Sequence, residues 1–225
     1  MATFAELMRD ADHRGLVRKA RRAMGFIRRA SEGELPENIT DESAQPIDLK
    51  ADGFKPIGLV TPEGYRFGRD VETDEVDALG YASFVRTDTL RVARTVAVNP
   101  LQFGQRHLQE IRYGVDLSGI TPATGSGEIV FDEPDLPIDD EFQLIVVADD
   151  GPAANNWIFG RGYPNVKLAE GDEEAWGQEV IQNALTFNVF PDDETGTPVR
   201  HYLGGTGAQA SVDILGYESG GGGDN

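Results

Sequence analysis

Residues 84–98, FVRTDTLRVARTVAV, constrain the fold more than any other stretch of this chain. Leu90, Val92, Val96 and Val98 fall on one side of a two-residue period. Thr87, Thr89, Arg91, Thr95 and Asn99 fall on the other. A period of two sustained this long is a strand with one buried face and one polar face, and it cannot be read as a helix. Several other segments carry strand signals. Pro56–Val60 is short and apolar, and Gly64–Phe67 follows a Pro-Glu-Gly turn. Phe142–Ala148 (FQLIVVA) is apolar on both faces, and a turn at Asp149-Asp150-Gly151-Pro152 follows it. Asn156–Gly162 and Val166–Ala169 come next. Ile181–Phe190 alternates again, with Leu185, Phe187 and Val189 inward and Gln182, Thr186 and Asn188 outward. An acidic hairpin-type loop at 192–196 leads to Arg200–Leu203, and Ala210–Tyr217 ends the series. About eight strands around one helix predict a mainly β body of sandwich-like or barrel-like form.

The helix expected inside that body starts at Asn99-Pro100. Asparagine suits the N-cap and proline the first helical position. Leu101, Leu108 and Ile111 form its stripe, and Gly114 stands where a terminating glycine belongs. A second helix is expected over residues 1–30, with Thr3 and Glu6 at capping-box spacing. Phe4, Leu7, Met8 and Ala11, then Val17, Ala20, Met24 and Ile27, step at helical intervals. Gly15 and Gly25 weaken it by about 1 kcal/mol each.

Charge divides the 225 residues unequally. The chain carries 39 acids and 20 bases, a net of −19. Residues 1–30 hold eight bases and three acids, a net of +5, which leaves −24 for residues 31–225. The reading is therefore a basic amphipathic extension (1–30), a polar acidic linker (31–53), a β-domain (54–217) and a flexible Gly-rich tail (218–225). The linker has a root-mean-square reach of roughly 25 Å. It would let the extension dock on an acidic surface of its own or a neighbouring subunit. An acidic body repels nucleic acid and anionic membranes over most of its surface. Sixteen of the twenty bases are Arg.

Enzyme and metal chemistry find little support. Without cysteine there are no disulfides, no thiol nucleophile and no thiolate metal site. No stretch of about 18 apolar residues could span a membrane, and no apolar signal-type segment is visible near the N-terminus. His107 and Glu110 have a metal-usable spacing on a helix, but no second pair accompanies them. Asp132, Glu133, Asp135, Asp139, Asp140 and Glu141 are acidic enough for calcium, yet they lack EF-hand spacing and its glycine. Gly204-Gly205-Thr206-Gly207 has no following lysine to make a phosphate loop. No nucleophile-elbow sequence is present. Trp157 and Trp176 read as core or interface anchors. No catalytic residue, cofactor-binding residue or metal ligand is assigned, and no cofactor is expected.

Taken together, GLVTPEGYRFG (58–68), DEVDALGYASFVRTDTLRVARTVAVN (74–99) with its Arg86-Thr87 step, the helix ending in YGVD, FQLIVVADDG (142–151), NNWIFGRGYPNVKL (155–168) and ALTFNVFPDDETGTPVRHYLGG (184–205) resemble the major tail tube protein of long-tailed (siphophage-type) bacteriophages. The resemblance covers roughly residues 54–217. The first ~50 residues and the longer Gly/Pro/Asp-rich segment 115–140 depart from the pattern. The resemblance implies a non-enzymatic structural protein of the virion tail, assembled in the host cytoplasm as stacked hexameric rings. It implies contacts with the tape measure, tail terminator and distal tail proteins, and a lumen through which DNA passes without specific binding. Strands 84–99 and 181–190 are then candidates for the lumen-facing sheet, and segments 115–140 and 31–53 for ring-to-ring contacts. Rival readings are another virion assembly protein, such as a tail terminator or head decoration protein, and an acidic soluble β-domain enzyme or binding module.

Overall fold

A computed structural model describes residues 2–171, 174, 176, 180–181 and 183–217. The predicted tail (218–225) and Gln182 lie outside the described residues. The architecture is mainly β, with eight antiparallel strands in one hydrogen-bonded sheet. In chain order the elements are α1 (Phe4–Asp10), β1 (Arg22–Arg29), β2 (Lys55–Pro56), β3 (Val60–Val76), β4 (Arg86–Pro100), α2 (Arg106–Tyr113), β5 (Phe142–Asp150), β6 (Trp157–Gly171), β7 (Leu185–Phe190), β8 (Arg200–Gly204) and the single turns α3 (Thr206–Gln209) and α4 (Val212–Leu215). The sheet runs β2-β1-β5-β6-β7-β4-β3, with β8 also beside β6. Among the described residues no helix is long and apolar enough to cross a membrane.

The sheet curls on itself. Its two terminal strands, β2 and β3, are joined only by residues 57–59, a span of at most about 14 Å. Tyr65 of β3 crosses the interior to Gly25 of β1, where an added Cβ would lie 2.7 Å from the Tyr65 hydroxyl oxygen. Glycine is required there for this close approach. Phe67 stacks on Tyr163 at 6.3 Å. The enclosed core contains Ile27, Ile57, Val96, Val98, Leu144, Val146, Val166, Leu185 and Phe187, closed at one end by Leu108 and Ile111 of α2.

The predicted basic helix over 1–30 is corrected. Only Phe4–Asp10 is α-helical, started by the expected capping box: Thr3 Oγ1 accepts from the Glu6 amide, and the Glu6 carboxylate accepts from the Thr3 amide. Arg22–Arg29 is instead a strand inside the sheet, paired along its whole length with β5. Its Gly25 and Ile27 alternate inward with Phe26 outward, and tertiary burial decides the conformation where local spacing fitted either period.

The predicted linker 31–53 is a packed strap. Leu35, Ile39, Ile47, Leu49 and Phe54 cover Phe26, Ile145, Val147, Ile158 and Tyr202 on the outer face of the sheet. This explains why β5 is apolar on both faces. Arg28, itself buried, fastens the strap. It donates to the Gln143 side chain (2.9 Å), the Asp52 carbonyl (2.7 Å) and the Glu34 carbonyl (2.5 Å), and it lies over the Phe54 ring at 4.3 Å. Two smaller expectations also change. Residues 99–100 remain in β4, so α2 starts later, with Gln105 at its N-cap, although Gly114 ends it in the left-handed conformation as expected. Residues 210–217 form turns of helix rather than a strand.

Replacing Arg28 removes the bonds to two strap carbonyls and to the Gln143 side chain, and loosens the strap. Arg28→Met is expected to lower stability by about 3 kcal/mol, and Arg28→Lys to recover little of it, because an ammonium cannot reproduce the planar fork. Urea unfolding of the three proteins measures this.

Candidate functional site

The two strands expected to share a polar face are neighbours. β4 and β7 pair as Thr95↔Asn188, Val96↔Phe187, Ala97↔Thr186 and Val98↔Leu185. Val96, Val98, Leu185 and Phe187 turn into the core. The opposite face shows Thr95, Ala97, Thr186 and Asn188, extended by Arg66 and Gly68 of β3 and by Lys167 of β6, which lie opposite them in register. The side chains are short and mostly uncharged. Lys167 is held between Asp139 and Glu141, each at 3.1 Å. Those two contacts raise its pKa, chiefly through the Asp139 hydrogen bond.

The larger feature is a ribbon. β4 pairs with β7 only over Thr95–Val98, while β3 and β4 continue together out to Val76↔Arg86. The nine residues 86–94 therefore project with β3 alone, an overhang of roughly 30 Å. Its tip is apolar: Leu79 is fully exposed, and Val76, Tyr81, Phe84, Val85 and Leu90 are also open to solvent. Sequence reading placed only a short strand at Gly64–Phe67, because the polar run 69–75 carries no alternation. Two like-charged pairs face each other directly across the ribbon, Arg69↔Arg94 and Asp74↔Asp88. Such pairs are destabilising in an isolated hairpin. Arg86 offsets one of them at 2.6 Å from Asp88, whereas Arg69 and Arg94 form no ion pair among the described residues. Among the described residues the outer edge of β3 has no strand beside it over 17 residues, whereas the other end of the sheet is blunted to a two-residue strand containing Pro56.

Several residues of the clusters weighed for chemistry make structural contacts. His107 bonds through Nε2 to the Pro56 carbonyl at 3.0 Å. Glu110 pairs with Arg106 and accepts from the Leu117 amide. Asp139 and Glu141 hold Lys167, and Asp140 pairs with Arg29 at 3.1 Å. Thr206 in the glycine-rich turn accepts from the Asn156 amide and donates to the Ala153 carbonyl. Trp157 is buried under Arg18, whose guanidinium sits 4.3 Å from the ring centre, while Trp176 is exposed. Among the described residues no three His, Cys, Asp or Glu side chains are grouped to hold a metal. Tyr65 is the most perturbed phenol, pushed up to about 12 by burial, which suits a packing role against Gly25. No model of a known protein family matches the chain, and no curated protein matches it.

His107 sits where α2 meets β2, and burial lowers its pKa. The unfolded imidazole titrates near ~6.5. The folded protein keeps the ring neutral below that point, so its contribution is complete above ~6.5 and is lost as pH falls toward the folded value. His107→Gln removes this term. The stability difference between wild type and variant is expected to shift in the variant's favour between about pH 7 and pH 5, read by denaturant unfolding at each pH. A difference independent of pH contradicts it.

Proposed function

We propose that this chain is a non-enzymatic structural subunit of a phage tail tube, assembling into stacked hexameric rings around a channel for DNA. The observation that carries the reading is the unfinished β3–β4 end of the sheet. A long unpaired strand edge leading to an apolar tip is a template for pairing with another chain. The like-charged pairs along the ribbon also favour a second copy that supplies opposite charge. In this reading a two-layered, barrel-like arrangement is completed between subunits, with each copy's open edge covered by its neighbour. The segment 115–140 and the strap 31–53 are further candidates for ring-to-ring contacts.

The short polar face of β4 and β7 is the candidate channel lining. Passage without capture requires few bases free to neutralise phosphates, since phosphate neutralisation drives nonspecific binding. Lys167 is already engaged by two carboxylates, and Glu72 lies opposite Arg91. The net charge of −19 adds repulsion. The tape measure, tail terminator and distal tail proteins would be its virion partners, and the host cytoplasm the place of assembly.

Assembly across a salt series tests this, because screening relieves repulsion between acidic subunits. Negative-stain images and sedimentation are expected to show rings or tubes at high salt and high concentration. A strictly monomeric protein under all those conditions contradicts the proposal. Replacing the tip residues Leu79 and Tyr81 by Asp is expected to abolish assembly. The unfolding free energy of the subunit should stay within roughly 0.5 kcal/mol, as befits exposed positions.

A further inference from the structure

The two ends of the curled sheet differ. Leu108 and Ile111 of α2 close the end near Phe142, where β5 begins. Farther along β5, Val146 and Ala148 floor a cavity of about 570 Å³ on the interior side. Its rim, which includes Lys19, Ala23 and Glu63, is exposed. A volume of that order suits a small-molecule site, and the mouth of a barrel-like sheet is one of the places where such sites form.

The walls are aromatic, with Tyr65 and Phe67 contributed by β3 and Phe159 by β6. The charge is opposite in sign to the −19 of the whole chain. Arg18, Lys19, Arg161 and His201 line the cavity, and among the described residues Glu63 is the single acid that does so. Arg18 is already engaged, 3.9 Å from Asp150 and stacked on Trp157. Lys19 is held through its backbone amide, which donates to the Asp150 carboxylate, and its ammonium forms no ion pair among the described residues. Arg161 is half-buried, and its guanidinium lies 4.2 Å from the centre of the Phe67 ring. Stacking on a ring fixes the guanidinium plane and leaves the in-plane N–H donors at its edge. Arg161 bonds to the Tyr163 hydroxyl but meets no carboxylate among the described residues. A cation oriented in this way, inside a partly enclosed cavity and without an anion from its own chain, is suited to an anion from outside.

We infer that the open end of the curled sheet binds a small organic acid with a flat aromatic body. The ring packs against Phe67 and Phe159 above Val146 and Ala148, in the offset or edge-to-face contacts that aromatic groups favour. The carboxylate meets the edge of the Arg161 guanidinium, where two parallel N–H···O bonds can form, and Lys19 at the rim adds a second positive charge. A neutral ring of the same size gains only the apolar contact, and a cationic one is repelled. The inference goes beyond the tube reading. The site lies within one subunit, on the opposite side of the sheet from the polar face of β4 and β7, and needs no second copy.

Three probes sharing one naphthalene ring test this on the dilute full-length protein at low salt, where ion pairs are least screened. They are 1-naphthoate, 1-naphthalenemethanol and 1-naphthylmethylammonium. Isothermal titration calorimetry is expected to show one 1-naphthoate bound per chain with a Kd below about 1 mM, the alcohol about tenfold weaker and the ammonium weaker still. Arg161→Leu is expected to cost 1-naphthoate about tenfold in affinity and to leave the alcohol within about twofold. Ala23→Phe, at an exposed position of the rim, is expected to weaken both by filling the mouth. Urea unfolding shows whether each variant is folded. Lys19→Gln, also at an exposed position, carries the charge comparison if Arg161→Leu is not, with a loss of about threefold expected. Absence of saturable 1-naphthoate binding overturns the inference. Equal binding of the three probes overturns it as well, because it shows an apolar cavity without charge selection. So does 1-naphthoate affinity unchanged by both the charge variant and Ala23→Phe, because the probe then sits elsewhere. None of these failures touches the assembly proposal, which is read separately from rings and tubes.

Discussion

Burial of β1, β5 and β6 on both faces is the constraint on which the rest of the structure depends. Their inward residues Ile27, Leu144, Val146, Tyr163 and Val166 fill the curled interior, and their outward residues Phe26, Ile145, Val147 and Ile158 carry the strap. A strand apolar on both sides cannot sit at the surface of a single-layer sheet. The interior forces the sheet to curl, with Gly25 allowing Tyr65 to come close. The exterior forces residues 31–53 to fold back across the outer face instead of linking two bodies. Two arginines tie the strap to the sheet: Arg28 donates to the Glu34 and Asp52 carbonyls, and Arg200 to the Leu35 and Pro36 carbonyls.

With one side of the molecule completed in this way, the other side stands out as incomplete. The β2 end is short and contains a proline, which blunts it as an edge. The β3–β4 end keeps its full length, an apolar tip and opposed like charges. The polar face of β4 and β7 lies next to it. A solitary soluble domain would gain nothing from this asymmetry, whereas a subunit that shares its sheet with neighbours would use it. The proposed tube function rests on that contrast and on the resemblance carried by the 58–99, 142–168 and 184–205 segments.

Much of the body was legible because its physics is local. The alternation ending in Val96 and Val98 and that of Leu185 through Val189 located two strands and their polar faces, although Leu90, expected on the buried face, is exposed at a break in register, and the doubly apolar run 142–148 marked the centre of the sheet. Gly114 gave the end of α2, and Thr3 with Glu6 gave the start of α1. The misreadings share one cause, namely contacts distant in sequence. Arg22–Arg29 becomes a strand because β5 lies beside it, and only the packing of Tyr65 explains Gly25. The strap's apolar residues, Leu35, Ile39, Ile47 and Leu49, are too irregularly spaced to signal burial. The outer half of β3 is polar on both sides because none of the described residues covers it. Of the candidate site, the pairing of β4 with β7 was foreseen only as two separate strands, and the ribbon was not foreseen.

The central claim is that the open β3–β4 edge is completed by another copy. Amide hydrogen exchange along residues 68–76 and 86–94, followed as concentration and salt are raised through assembly, tests this most directly. The account predicts fast exchange at the outward-facing amides of these residues in the dilute subunit and strong protection once rings form. Assembled particles in which those amides exchange as fast as in the monomer would contradict it.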